Sequence, residues 1–108
     1  MNLPLPPPLD VYFAADASAD AQALAHCFLP DATVIDEGRE TTGLEAIKAW
    51  MRESKSKYRY AAEPLSWSRE GHKVTVPVRL EGDFPGSPLE VAFNFALSNE
   101  KIASLEIG

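Results

Sequence analysis

The segment "DATVIDEG", residues 31–38, sets two carboxylates, Asp36 and Glu37, directly after a β-favouring run at 32–35. A carboxylate at the rim of an apolar sheet loses solvation. Its pKa then rises, so that it can take and return a proton near neutral pH. The same residues also suit a plain acidic strand end, with Gly38 closing the segment. Strand alternation separates the two acids: Asp36 shares a face with Val34, whereas Glu37 faces the other way and is expected in solvent.

The other reactive side chains suggest less. His26 lies two residues after Leu24, roughly 200° around a helix and away from the apolar stripe. His72 follows Gly71 in a turn. Neither has a histidine or carboxylate at ligand-like spacing, so no metal site is expected, and no other cofactor is implied. Cys27 is the single cysteine, which excludes an internal disulfide; with no basic neighbour it is expected to be a small core residue. Net charge is −6 with no block of Lys or Arg, which argues against nucleic acid and anionic membranes as partners. No apolar run approaches a membrane span, and the first residues lack the basic and apolar regions of a signal peptide, so the cytoplasm is the expected compartment.

The elements that must position these residues are readable from periodicity. "MNLPLPPPL" reads as a polyproline-like lead-in, so residues 1–8 are taken as an extended arm and 9–108 as one domain. Leu9, Tyr12 and Phe13 form the apolar stripe of a short helix entered through Pro8. Asp20 is expected to cap a second helix, with Ala21, Leu24 and Phe28 on one face and Pro30 just past its end. A strand at 32–36 follows, and Arg39 and Glu40 are expected to be solvated loop charges. Thr42 and Glu45 have capping-box spacing, which starts a helix just after Thr42 whose stripe is Leu44, Ile47 and Met51, flanked by Trp50.

From Tyr58 onward the chain reads as β: "YRYAAEPLSWSRE" interrupted at Pro64, then "KVTVPVRLE", then "LEVAFNFALS", then "IASLEI". The order helix, helix, strand, helix, four strands predicts an α+β fold with helices over one face of a curved, largely antiparallel sheet. Phe28, Trp50, Met51, Trp67, Phe93 and Phe95 supply an aromatic and sulfur-bearing wall, mostly core. Phe84, in the loop "GDFPGSP", suits either a mobile lid or a loop anchor.

Three stretches carry a family resemblance: "YFAADASADAQALAHCFLPDATVIDEG", "TTGLEAIKAW" and "GDFPGSPLEVAFNFALSNEKIASLEI". In order, they resemble the nuclear-transport-factor-two-like superfamily, and within it the SnoaL-like polyketide cyclase and ketosteroid isomerase branch. The resemblance implies a cone-shaped roll, helices on a strongly curved mixed sheet with an apolar pocket at the open end, and a homodimer through the outer sheet face. It further implies a site. "ATVID" aligns with the isomerase segment that carries the general base, placing Asp36 at the base and Tyr12, at the family's spacing, as donor to the substrate oxygen. The second, protonated acid of the isomerases falls at Phe93, which cannot donate, so ketosteroid isomerase activity itself is not expected. In such a cone, the ligand-contacting wall is expected to be drawn from Phe28, Val34, Trp50, Trp67, Phe84 and Phe93.

Two functions follow. In one, a small hydrophobic ketone or polyketide-like molecule enters the cone and Asp36 moves a proton, as in a cyclase or isomerase. In the other, the fold is a non-catalytic ligand-binding or dimeric scaffold module.

Overall fold

The computed structural model describes residues 4–57 and 59–108. Residues 1–3 of the arm, and Tyr58 at the expected start of a strand, lie outside the described residues. The elements run α1 (Leu9–Ser18), a 3-10 helix (Ala21–His26), β1 (Phe28–Asp36), β2 (Arg39–Thr42), α2 (Leu44–Lys57), β3 (Tyr60–Pro64), β4 (Ser68–Glu70), β5 (Lys73–Gly82), β6 (Leu89–Ser98) and β7 (Lys101–Ile107).

The strands form one curved, mixed sheet ordered β2-β1-β7-β6-β5-β3, with β4 also on β5. Among the described residues, only the β1–β7 pairing is parallel. The inward face follows the alternation in the sequence: Val74, Val76 and Val78 on β5, Phe93, Phe95 and Leu97 on β6, and Ala32 and Val34 on β1 are all buried. Each such branched or aromatic side chain is worth roughly 1.5–3 kcal/mol when fully removed from water. Against this face α1 lays Leu9, Tyr12, Phe13 and Ala15, and α2 lays Ile47 and Met51.

Two irregularities bend the sheet at the same height. Phe28 pairs with Ile102 and Thr33 with Ser104, so β1 carries extra residues around Pro30, which has no N–H to give the ladder. Opposite it, the β6–β7 register shifts between Ala96 and Leu97. Hairpin turns set the remaining geometry. Glu37 and Gly38 both have positive φ (55° and 74°), as a two-residue turn with the twist of the flanking strands requires, and they bring Arg39 opposite Asp36. Asn99 and Glu100 repeat the arrangement between β6 and β7.

Three expectations are corrected here. The second helix is a six-residue 3-10 turn; the Asp20 side chain makes no cap, and Phe28 and Pro30 belong to β1, because the Cys27 carbonyl already accepts the Ile102 N–H at 2.7 Å. Arg39 and Glu40 lie in β2 rather than in a loop. The capping box is not formed: the Thr42 hydroxyl meets that of Thr33 at 3.4 Å, and Glu45 pairs with Lys48 at 3.2 Å. Pro64 ends β3 as expected.

Gly82 is a point where backbone must approach side chain. A Cβ there would fall on the Arg59 carbonyl and within 2.7 Å of Tyr60 Cβ. Gly82→Ala should therefore cost roughly 3 kcal/mol, the upper end of overpacking penalties, read from urea unfolding midpoints. A loss below about 0.5 kcal/mol would mean that the β3–β5 edge gives way freely.

Candidate active site: a cleft at the open end of the sheet

The ends of β1, β5, β6 and β7 and the flank of α2 enclose a cleft of about 800 Å³. Its apolar wall is Trp50, Leu80, Phe84, Leu89, Phe93 and Ile107. Glu37, Arg39, Glu40, Glu53 and Lys57 add charge to its lining. A volume of this size suits a drug-sized organic molecule.

Asp36 is the last residue of β1, with the Glu37–Gly38 turn immediately beyond. Val34, of the same parity, is fully buried, and Asp36 is half-buried where the same face opens into the cleft. Ile47 and Met51 seat α2 on the core, and Trp50 sits between them in sequence, at the edge of that stripe. From there its indole N–H donates to Asp36 Oδ2 at 3.1 Å. Burial pushes the Asp36 pKa up; the Trp50 hydrogen bond pulls it down and the nearby Glu37 charge pushes it up, and the net direction is upward. One carboxylate oxygen is thus oriented by a neutral donor. The group is biased toward holding a proton.

Tyr12 reaches the cleft through a cluster of phenylalanine rings. Its ring makes edge contacts with Phe13 (5.1 Å between centroids), Phe28 (5.9 Å) and Phe95 (5.6 Å), and a tilted contact with Phe93 (6.4 Å). Burial, with the charges of Asp16 and Asp36, holds its phenol firmly protonated. Beside it the wall is Phe93, stacked on Phe13 at 5.8 Å, so hydrocarbon stands where a second donor would have to be.

Of the residues singled out from sequence, the fold brings Tyr12, Asp36, Trp50, Phe84 and Phe93 together on the cleft. Phe28 and Val34 are buried in the core and are not among its lining residues. Trp67 is elsewhere: it is 38% exposed, and its indole N–H donates to the Pro4 carbonyl at 2.8 Å. Cys27 is fully buried, its thiol pushed up to about 12 by burial, as a core residue requires. His26 and His72 are exposed. Among the described residues no three His, Cys, Asp or Glu side chains converge in a way that could hold a metal ion, and no helix is long and apolar enough to cross a membrane.

Sequence reasoning missed Tyr60, which lines the cleft from the start of β3, and a buried ion pair, Asp16–Lys55, at 3.0 Å. The signal was there. Asp16 extends the apolar stripe of α1 by one turn beyond Tyr12, and Lys55 extends that of α2 beyond Met51, so two charges of opposite sign sit on faces that should be apolar.

The chain and its fold have known counterparts. The description "SnoaL-like domain" matches residues 9–105, and the chain belongs to that family. Among solved structures, a candidate polyketide cyclase from Sinorhizobium meliloti is 40% identical, with a TM-score of 0.89 over 93% of this chain and 92% of that one. A protein with a ketosteroid isomerase-like fold from Catenulispora acidiphila, solved with trimethylamine, is 24% identical with a TM-score of 0.82, over 96% of this chain and 86% of that one. A candidate SnoaL-like isomerase from Agrobacterium tumefaciens is 15% identical with a TM-score of 0.77, over 92% and 91% of the two chains. The latter two likenesses concern the fold alone. No protein of curated function matches the chain.

Protonation of Asp36 is linked to stability. Its folded pKa is raised, so its contribution is fully present below the unfolded value, near 3.8, and is lost as pH rises through the folded value. Asp36→Asn, which keeps an acceptor for Trp50, should therefore be at least as stable as the parent at pH 7, and lose that relative advantage at pH 3. Urea midpoints at the two pH values measure this; a variant clearly weaker at pH 7 contradicts the direction.

Proposed function

We propose that the cleft binds a small hydrophobic ketone or polyketide-like molecule and that Asp36 moves a proton on it, the chemistry of a cyclase or isomerase. The observation that carries this reading is the Asp36–Trp50 pair on the cleft wall: a half-buried carboxylate with one oxygen fixed at 3.1 Å by an indole N–H. Fixing Oδ2 leaves Oδ1 to reach a C–H acidified by a carbonyl. That oxygen takes the proton, the C–H electron pair passes into the C–C bond as the carbonyl becomes an enolate, and the same oxygen returns the proton at carbon. Tyr12, on the cleft wall and held protonated, then donates to the enolate oxygen. The apolar wall of Leu80, Leu89, Phe93 and Ile107 selects a ligand by shape and hydrophobicity rather than by charge. The family assignment and the 40% identical cyclase candidate agree with this reading in kind.

Hydrogen–deuterium exchange at the α-carbon of 2-tetralone, followed by proton NMR in D2O, tests it. The wild-type protein should accelerate exchange, and Asp36→Asn should reduce the acceleration about a hundredfold or more, the scale of a single general base. Equal rates with the two proteins would sink the reading. Binding of the ketone without exchange would favour the non-catalytic module.

We also read the outer face of β5, β6 and β7 as a surface for self-association. Its half-buried residues Thr75, Ala92, Asn94, Ala96 and Ser104 are small, and the Thr75 hydroxyl meets Asn94 Oδ1 at 3.3 Å, so a second sheet could approach closely. Light scattering should give the mass of a homodimer; a monomer at all concentrations removes this part.

A further inference from the structure

Tyr60 is held more tightly than a wall residue needs. Lys55 Nζ sits 3.8 Å from the centre of its ring and also donates to its backbone carbonyl at 3.2 Å. The same ammonium is 3.0 Å from Asp16 Oδ2, and Asp16, only 4% exposed, has no other side-chain partner for that oxygen among the described residues. From the sheet side, Gly82 is opposite Tyr60 in the β3–β5 ladder and leaves no room for a Cβ. Burying an ion pair is costly and rarely stabilises a fold by itself, so its presence here asks for a local purpose. Its reach is local. The pair joins the end of α1, which carries Tyr12, to the last turns of α2, and the bridging ammonium rests on Tyr60.

We infer that Tyr60 is the second hydrogen-bond donor of the cleft, presenting its phenol with that of Tyr12 to one ligand oxygen, and that Asp16 and Lys55 are positioning residues for it. The wall beside Tyr12 is otherwise hydrocarbon at Phe93, so a carbonyl or enolate oxygen in the cleft lacks a second donor from β6. Tyr60 supplies it from β3, the edge strand on the far side of β5 from β6. Burial and the neighbouring Asp16 and Asp36 charges keep its phenol protonated, and so a donor, across the physiological range. A cation over the ring face stabilises negative charge shared into that ring, which helps when the bound oxygen becomes an enolate. This inference rests on the proposed function and specifies the ligand: an apolar ring system bearing an oxygen acceptor that two phenols can share.

The test compares 2-naphthol with naphthalene, one ring system with and without the oxygen. Affinities are read by NMR titration, using the Trp50 indole N–H signal as reporter of occupancy. Wild type should prefer 2-naphthol. Tyr60→Phe should lower its affinity about fivefold, the scale of one neutral hydrogen bond, and leave naphthalene unchanged. Lys55→Met should lower the same preference in the wild-type background and have no further effect in Tyr60→Phe, which distinguishes positioning from a general loss of structure. If Tyr60→Phe binds both compounds as wild type does, this inference falls while the Asp36 reading stands. If wild type binds neither, the inference falls together with the claim of an apolar ligand. If wild type exchanges 2-tetralone but shows no preference for the oxygen, only the two-donor arrangement is wrong.

Discussion

The packing of the Tyr12 ring against phenylalanines from three elements is the constraint on which the site depends. The helix that carries it has ten residues, no side-chain cap at its start, and an apolar content spread around much of its surface. A helix of that length has little stability in water and exists because its side chains are taken into a core. Phe28 from β1 and Phe93 and Phe95 from β6 provide the place. Because Tyr12 and Asp16 are one turn apart on that helix, seating one fixes the other. The same contacts therefore determine where the phenol meets the cleft and where a buried charge must find its partner.

Two aspartates near this core show how surroundings decide the behaviour of one side-chain type. Both are pushed toward the protonated form by burial. Asp16 faces a lysine ammonium, whose attraction works against that push and favours a fixed charge. Among the described residues, the side-chain donor to Asp36 is a neutral indole, which orients the carboxylate without cancelling its desolvation. An acid held by a cation is suited to structure. One held by a neutral donor beside open space is suited to exchanging protons.

Much of the fold was legible because its strongest signals are periodic. The alternation through Val74, Val76 and Val78, and through Phe93, Phe95 and Leu97, placed β5 and β6, and the parity of Val34 with Asp36 placed that carboxylate on the correct face. What failed were junctions settled by pairing partners distant in sequence. Nothing local tells that Phe28 is claimed by Ile102, which ends the 3-10 turn, or that Glu37–Gly38 turns the chain into a paired strand at Arg39. In the site, Asp36, Tyr12 and Trp50 could be placed by strand parity, family spacing and helical position. Trp67 could not, since its indole is taken by Pro4, 63 residues away. Tyr60 stood in a strand read correctly, but its importance comes from Lys55 and Gly82, which no period in the sequence connects to it.

The tryptophan–aspartate bond has a consequence for how the molecule can be observed. The chain has two tryptophans, and their indole N–H groups have unlike partners: a carboxylate that titrates and a backbone carbonyl that does not. The first lines the cleft; the second does not. Intrinsic fluorescence is thus divided by the fold into a component from Trp50, beside Asp36 and the cleft, and one from Trp67, bonded to Pro4. The protein carries its own optical indicator, and replacing either indole leaves the other signal to be read alone.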